Sequence, residues 1–88
     1  VLREFDAVLQ KGENPGAWTC VVIDGVRELF GTGGLVKVRG TIDDVPFTGA
    51  LMAQGNGTHR LPVRATLREA IGKQAGDSVH VCLQERIG

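Results

Sequence analysis

Eighty-eight residues leave room for one domain and no second core. Ten Lys/Arg balance ten Asp/Glu, giving a formal net charge of zero, which argues against a protein that holds nucleic acid mainly by neutralising many phosphates. At 42% hydrophobic and 23% charged residues the composition is that of a globular chain. No apolar run approaches the ~20 residues of a helical membrane span, and a cytoplasmic location with reduced thiols is expected for its two cysteines.

Along the chain, Leu2 to Leu9 reads as a first strand with imperfect alternation. Lys11-Gly12-Glu13-Asn14-Pro15-Gly16 is a polar turn, and Ala17 to Ile23, rich in β-branched residues, is expected to form a hairpin with the first strand. Asp24-Gly25 ends that strand, and a short helix is predicted over Val26 to Phe30. Leu35 to Ile42 alternates, with Val36, Val38 and Gly40 on one face. Asp43-Asp44 makes a tight turn into a strand from Pro46 to Met52, with Pro46 placed where a missing N–H does no harm. Gln54-Gly55-Asn56-Gly57 is a loop. His59 to Val63, a second helix and a last strand from Ser78 to about Glu85 complete the chain.

For the second helix, Thr66 and Glu69 have capping-box spacing. Leu67, Ala70 and Ile71 fall on one face and are expected to be buried. Gly31 and Gly72 are placed to end the two helices in a left-handed conformation. Expected core residues are Val22, Val36, Val38, Leu51, Leu61, Val63, Val79, Val81 and Leu83. Trp18 is large enough to plug an end of a barrel, and half-exposed placement fits it equally.

Two stretches match each other. Val26-Arg27-Glu28-Leu29-Phe30-Gly31 aligns with Leu67-Arg68-Glu69-Ala70-Ile71-Gly72, forty-one positions later (67 − 26). Each reaches a turn, Gly33-Gly34 or Gly76-Asp77, and then an alternating strand. The repeat predicts a mainly β fold: a single small closed barrel over residues 1–88, six strands and two short capping helices in the order β-β-α-β-β-β-α-β, with internal two-fold symmetry. A monomer is expected, since both halves lie in one chain.

Gly40-Thr41-Ile42-Asp43, Pro46-Phe47, Gly55-Asn56-Gly57-Thr58-His59-Arg60-Leu61-Pro62-Val63-Arg64 and Gly76-Asp77-x-Val79-x-Val81 occur in order. Together they resemble an uncharacterised prokaryotic domain family sometimes found beside YdeI/OmpD-associated domains. The resemblance implies a double-split β-barrel, similar to the swapped hairpins of AbrB and MazE-type regulators but made from one chain. It brings no catalytic or ligand residue. The family often has a proline before its first helix, where this chain has Ile23-Asp24-Gly25.

The chemistry-bearing residues are sparse. Cys20, His59, His80 and Cys82 lack the paired spacings of a metal site, so neither a metal nor another cofactor is expected. No nucleophile elbow or phosphate loop is present, and the chain is read as non-catalytic. His59, Arg60, Arg64 and Arg68 gather around the second helix's start and are the candidate contacts for a small anion or a partner protein. Ion pairing of Arg64 or Arg68 with Glu69, Asp77 or another carboxylate is the plain alternative. The halves differ in the same sense: residues 1–44 carry five basic and seven acidic residues (5 − 7 = −2), residues 45–88 five and three (5 − 3 = +2). The expected function is thus a binding or regulatory module. The competing readings are an AbrB-like nucleic-acid-binding domain and an enzyme with a small pocket near Trp18, Met52 and His59.

Overall fold

In the computed structural model, residues 2–12, 18–54 and 57–88 are described. The Pro15-Gly16 breaker and most of the Gly55-Asn56 loop signal lie outside them. The elements are β1 (Arg3–Val8), β2 (Gln10–Lys11), β3 (Thr19–Asp24), α1 (Val26–Phe30), β4 (Val36–Ile42), β5 (Val45–Ala53), β6 (Thr58–Pro62), α2 (Ala65–Ile71) and β7 (Ser78–Arg86).

The strands form a nearly closed barrel-like sheet in the order β1-β7-β4-β5-β6-β3-β2. Its two edges, β1 and β2, are consecutive arms of one bent segment. At the bend Leu9 donates its N–H to the Asp77 carbonyl at 2.9 Å and accepts from Gly76 N–H at 2.8 Å, and its side chain is buried in the core. This corrects the expected six strands to seven. The predicted first strand pairs with β7 and not with β3; the expected hairpin with β3 is made by Gln10 and Lys11, just beyond that strand, with Lys11 in a strand where a turn was expected. In–out burial along 3–9 is unbroken across the bend, and the apolar run Ala7-Val8-Leu9 carries no local sign of it.

At the opposite corner, β5 pairs with β4 over seven positions and then with β6 at Met52 and Ala53. The pairings β3–β6 and β4–β7 cross between the two halves of the chain. Both halves therefore contribute to each side of the core.

That core comprises Leu9, Val21, Ile23, Val26, Val36, Val38, Ile42, Leu51, Leu61, Val63, Val79, Val81 and Leu83. One expected member is displaced: Val22 faces outward between buried Val21 and Ile23. In the continuous apolar run Cys20-Val21-Val22-Ile23, period-two reading has no polar residue to set its phase.

The Asp43-Asp44 turn between β4 and β5 is a two-residue hairpin with φ of 48° and 68°. Those positive values belong to the primed turns whose twist matches the strands they join. Near the middle of β4, Gly40 sits at an irregularity in the β4–β7 ladder, where Arg39 faces Glu85 and Gly40 faces Leu83. A Cβ at Gly40 would lie 1.9 Å from the Cys82 carbonyl oxygen. Only glycine allows the two backbones to meet there.

The helices run as their glycines require. Gly31 and Gly72 terminate α1 and α2 in left-handed geometry, with φ of 72° and 69°. The predicted capping box is absent: α2 starts at Ala65 with Arg64 in the cap position, extended and without a side-chain cap bond. Thr66 is thus already inside the helix, where its hydroxyl cannot serve as an N-cap. The buried stripe narrows to Leu67 and Ile71, which are partly buried against the core, while Ala70 is exposed.

Candidate functional site

The four sequence candidates do not form one cluster. His59 and Arg60 are neighbours on β6, and successive strand residues face opposite sides. His59 points inward and is only 3% exposed. Its Nε2 lies 3.0 Å from the Gly34 carbonyl; a carbonyl can only accept, so Nε2 carries the proton. Nδ1 is buried with no hydrogen-bond partner among the described residues. His59 therefore ties β6 to the turn that follows α1, on the inner side of the sheet. Neither groove beside Trp18 includes it: Trp18 and Met52 share one of them without His59.

Arg60, Arg64 and Arg68 do reach one surface, and Trp18 is its centre. Immediately before β3, the Trp18 side chain is 65% exposed, so it plugs no barrel end. Thr19 next to it is buried, and its carbonyl accepts the Val63 N–H at 2.8 Å. The backbone beneath Trp18 is thereby held to the β6–α2 junction.

Two grooves flank the indole. One, of about 520 Å³, lies between β5 and α2 with Ala50, Met52 and Val63 in its wall; its charged lining residues are Arg64 and Arg68. The other, of about 440 Å³, crosses the outer face of β2, β3 and β6; its charged lining residues are Lys11 and Arg60. Trp18 and Pro62 line both, making a ridge between them. Among the described residues no carboxylate lines either groove. Arg68 donates its Nε–H to the Val63 carbonyl at 3.2 Å, which tethers its guanidinium beside the groove. The ion pairs formed among the described residues use Arg3, Arg39, Lys73 and His80, and none of them involves Arg60, Arg64 or Arg68. Cys20 lines the second groove too; burial raises its thiol pKa, with the Arg60 charge opposing.

A second polar cluster, on β1 and β7, is built differently. His80 Nδ1 lies 2.7 Å from Asp6 and Nε2 2.5 Å from Glu4. The hydrogen bond to Asp6, then the one to Glu4, raise its pKa to about 8. Asp43 accepts from the His80 backbone N–H at 2.8 Å, and its other carboxylate oxygen is 2.7 Å from Lys73 Nζ. The Lys73 hydrogen bond, followed by the backbone one, lowers the Asp43 pKa. Lys73 also donates to the Ser78 carbonyl at 2.7 Å. No local sequence signal marks this network, because its members lie up to 76 positions apart.

The domain of unknown function family DUF1905 matches residues 5–83, and the chain belongs to that family. No curated protein matches the chain. The family match spans all seven strands and both helices, in whole or in part, and includes every residue of the Trp18 surface.

Proposed function

We propose that this domain is a non-catalytic binding module whose recognition surface is the groove between β5 and α2, and that its ligand carries an anionic group beside an apolar one. The observation that carries this reading is the lining: Arg64 and Arg68 are the charged residues of a groove otherwise walled mainly by Trp18, Met52, Pro62, Val63 and alanines, with Thr19 and Thr48 as its uncharged polar side chains. A concave, mostly apolar site with a few convergent polar groups is the usual form of a small-ligand site. The groove's volume of about 520 Å³ falls within the usual range for such sites. Arginine suits the anionic part, since its fork of donors matches carboxylate and phosphate oxygens.

The fold component of the proposal is a single-chain relative of the AbrB and MazE double-split barrel, arisen from an internal repeat. Its support is topological: the second half contributes β5, β6, α2 and β7, the first half contributes β3, α1 and β4 in the same order preceded by the divided strand β1–β2, and the halves interlock through β3–β6 and β4–β7. Such a chain needs no second copy and would act as a cytoplasmic monomer, alone or beside a YdeI/OmpD-associated domain. Light scattering that found an obligate dimer would refute the monomer.

The test of the binding role is an amide NMR titration with inorganic phosphate at low ionic strength. Shifts should concentrate at Trp18, Val63 to Arg68 and β5, and Arg64→Ala should weaken them while the rest of the spectrum stays native. Arg68→Ala should act in the same direction. Unchanged titrations in both variants would refute the role given to these arginines.

A further inference from the structure

A ligand confined to one groove leaves half of this surface unexplained. Trp18 and Pro62 form a ridge with cations on both flanks: Arg64 and Arg68 on one side, Lys11 and Arg60 on the other. Arg27, Lys37 and Arg86 are also outside the ion pairs formed among the described residues, yet none of them lines either groove. The four cations at Trp18 are thus set apart by arrangement and not by charge alone.

Trp18 itself has no role in the core. It is more exposed than Leu2, Val8, Leu35 and Ile87, the other large hydrophobic side chains on the surface. Its backbone is nevertheless anchored, through buried Thr19 and the Thr19–Val63 hydrogen bond. An indole held out on a fixed backbone offers a flat π-face at low ordering cost. What stacks on it must be planar, and what satisfies both flanks must carry negative charge on both sides of that planar group.

We propose that this ridge binds single-stranded nucleic acid, with one unpaired base stacked on Trp18 and the phosphates on either side of it reaching Arg64 and Arg68 in one groove and Lys11 and Arg60 in the other. The inference rests on the anion-binding role proposed above and extends it across the ridge. A cationic track along the backbone combined with aromatic side chains on which bases stack is the general means of holding single strands without reading their sequence. A duplex is disfavoured because its base faces are stacked away from the indole. An acidic peptide would satisfy the cations and leave the indole unused. A mononucleotide would fill one groove alone, whose volumes of about 520 and 440 Å³ each suit one small-molecule-sized unit.

Zero net charge sets the strength. Four phosphate contacts at most give a salt slope of about −3 for a single strand, so binding is a low-salt, modest-affinity event in which stacking carries a large share. That same neutrality weighed against nucleic acid in the sequence; here the charge that matters is local, and the carboxylates of the His80 network lie on β1 and at the β4–β5 turn, outside both grooves.

The chain has one tryptophan and no tyrosine, so its emission reports on Trp18 alone. Titration of the whole domain with a short oligothymidylate at low salt should quench that emission saturably. Arg60→Ala and Arg64→Ala should each weaken binding and each flatten the salt slope by about 0.7. Trp18→Ala, followed by anisotropy of a labelled oligothymidylate, should weaken binding roughly ten- to a hundredfold with the salt slope retained. Native amide spectra of the variants exclude misfolding as the cause. Polyphosphate separates this inference from the reading beneath it: weak binding without quenching supports stacking. Equal affinity for polyphosphate and oligothymidylate, with no effect of Trp18→Ala, overturns the nucleic-acid proposal and leaves the anion role standing. Tight binding of thymidine monophosphate, or a preference for polyglutamate, also overturns it. Failure of every polyanion to bind overturns both.

Discussion

The two charged surfaces of this barrel use similar residues to opposite ends. Around His80, each ionic side chain has a partner from another part of the chain: Glu4 and Asp6 from β1, Asp43 from the β4–β5 turn, Lys73 from the segment after α2. Around Trp18, Lys11, Arg60, Arg64 and Arg68 gather where no carboxylate among the described residues lines the grooves. The first surface fastens β1 and the β4–β5 turn to β7, and its charges are spent within the fold. On the second, none of the four cations is ion-paired among the described residues. Pairing, more than the number of charges, separates a structural surface from a candidate binding one.

If that contrast is right, substitutions on the β1–β7 side should move stability, and substitutions at the ridge should move ligand binding. The largest effect is expected at Gly40, where β4 and β7 meet. The Cβ of Gly40→Ala would lie 1.9 Å from the Cys82 carbonyl, and overpacking against backbone should cost at least about 3 kcal/mol in chemical denaturation. A variant of native stability would mean that the ladder can shift to accommodate it.

Lys73→Met comes next. It removes donors to Asp43 and the Ser78 carbonyl and should cost roughly 1 kcal/mol near neutral pH, since both ion-pair partners keep some solvent contact. Because the Asp43 pKa is lowered in the fold, its contribution is present above the unfolded carboxylate pKa and disappears as pH falls through the folded value. The variant should therefore lose least in acid, and urea denaturation as a function of pH would reveal it.

His80 works in the opposite sense and with a smaller effect, its side chain being exposed. Its folded pKa of about 8 stands above the ordinary 6.5, so the stability it contributes is complete below about 6.5 and is lost as pH rises through 8. His80→Gln should flatten the decline in Tm between those limits. A wild-type Tm that is constant across this window would show that the imidazolium adds nothing.

The smallest change in stability belongs to the ridge. Trp18→Ala should alter unfolding free energy by no more than about 0.5 kcal/mol, because the side chain is already mostly in solvent. A loss well beyond that would move Trp18 from the binding surface to the structural one and erase the comparison.

Much of the fold is legible in local chemistry. The extent of α1, from Val26 to Phe30, follows from Gly25 and Gly31 at its two ends, and Gly72 ends α2 for the same reason. Asp43-Asp44 turns the chain where a short polar pair can enter left-handed geometry. Alternation in β4 and β7 gives the buried set of both strands. Where the local signal is ambiguous the reading slips: Val22 for Val21 in an unbroken apolar run, and Thr66 for Arg64 as the cap of α2. The candidate site was legible in part. Three of its arginines could be read from their grouping in sequence, but His59 could not be separated from Arg60 without the strand's facing.

The amino-acid sequence by itself determined the turns, the helix ends, the alternating strands and the stock of charges, because each depends on backbone conformations and side chains within a few residues. Tertiary structure decided which of those charges meet. It bent the first strand at Leu9 so that its two arms join opposite edges of the sheet, drew Glu4, Asp6 and Asp43 onto the His80 side, and turned His59 inward. It also set Trp18 between Lys11, Arg60, Arg64 and Arg68. Such meetings depend on strand register across the barrel, and register is a property of paired strands that no single segment carries.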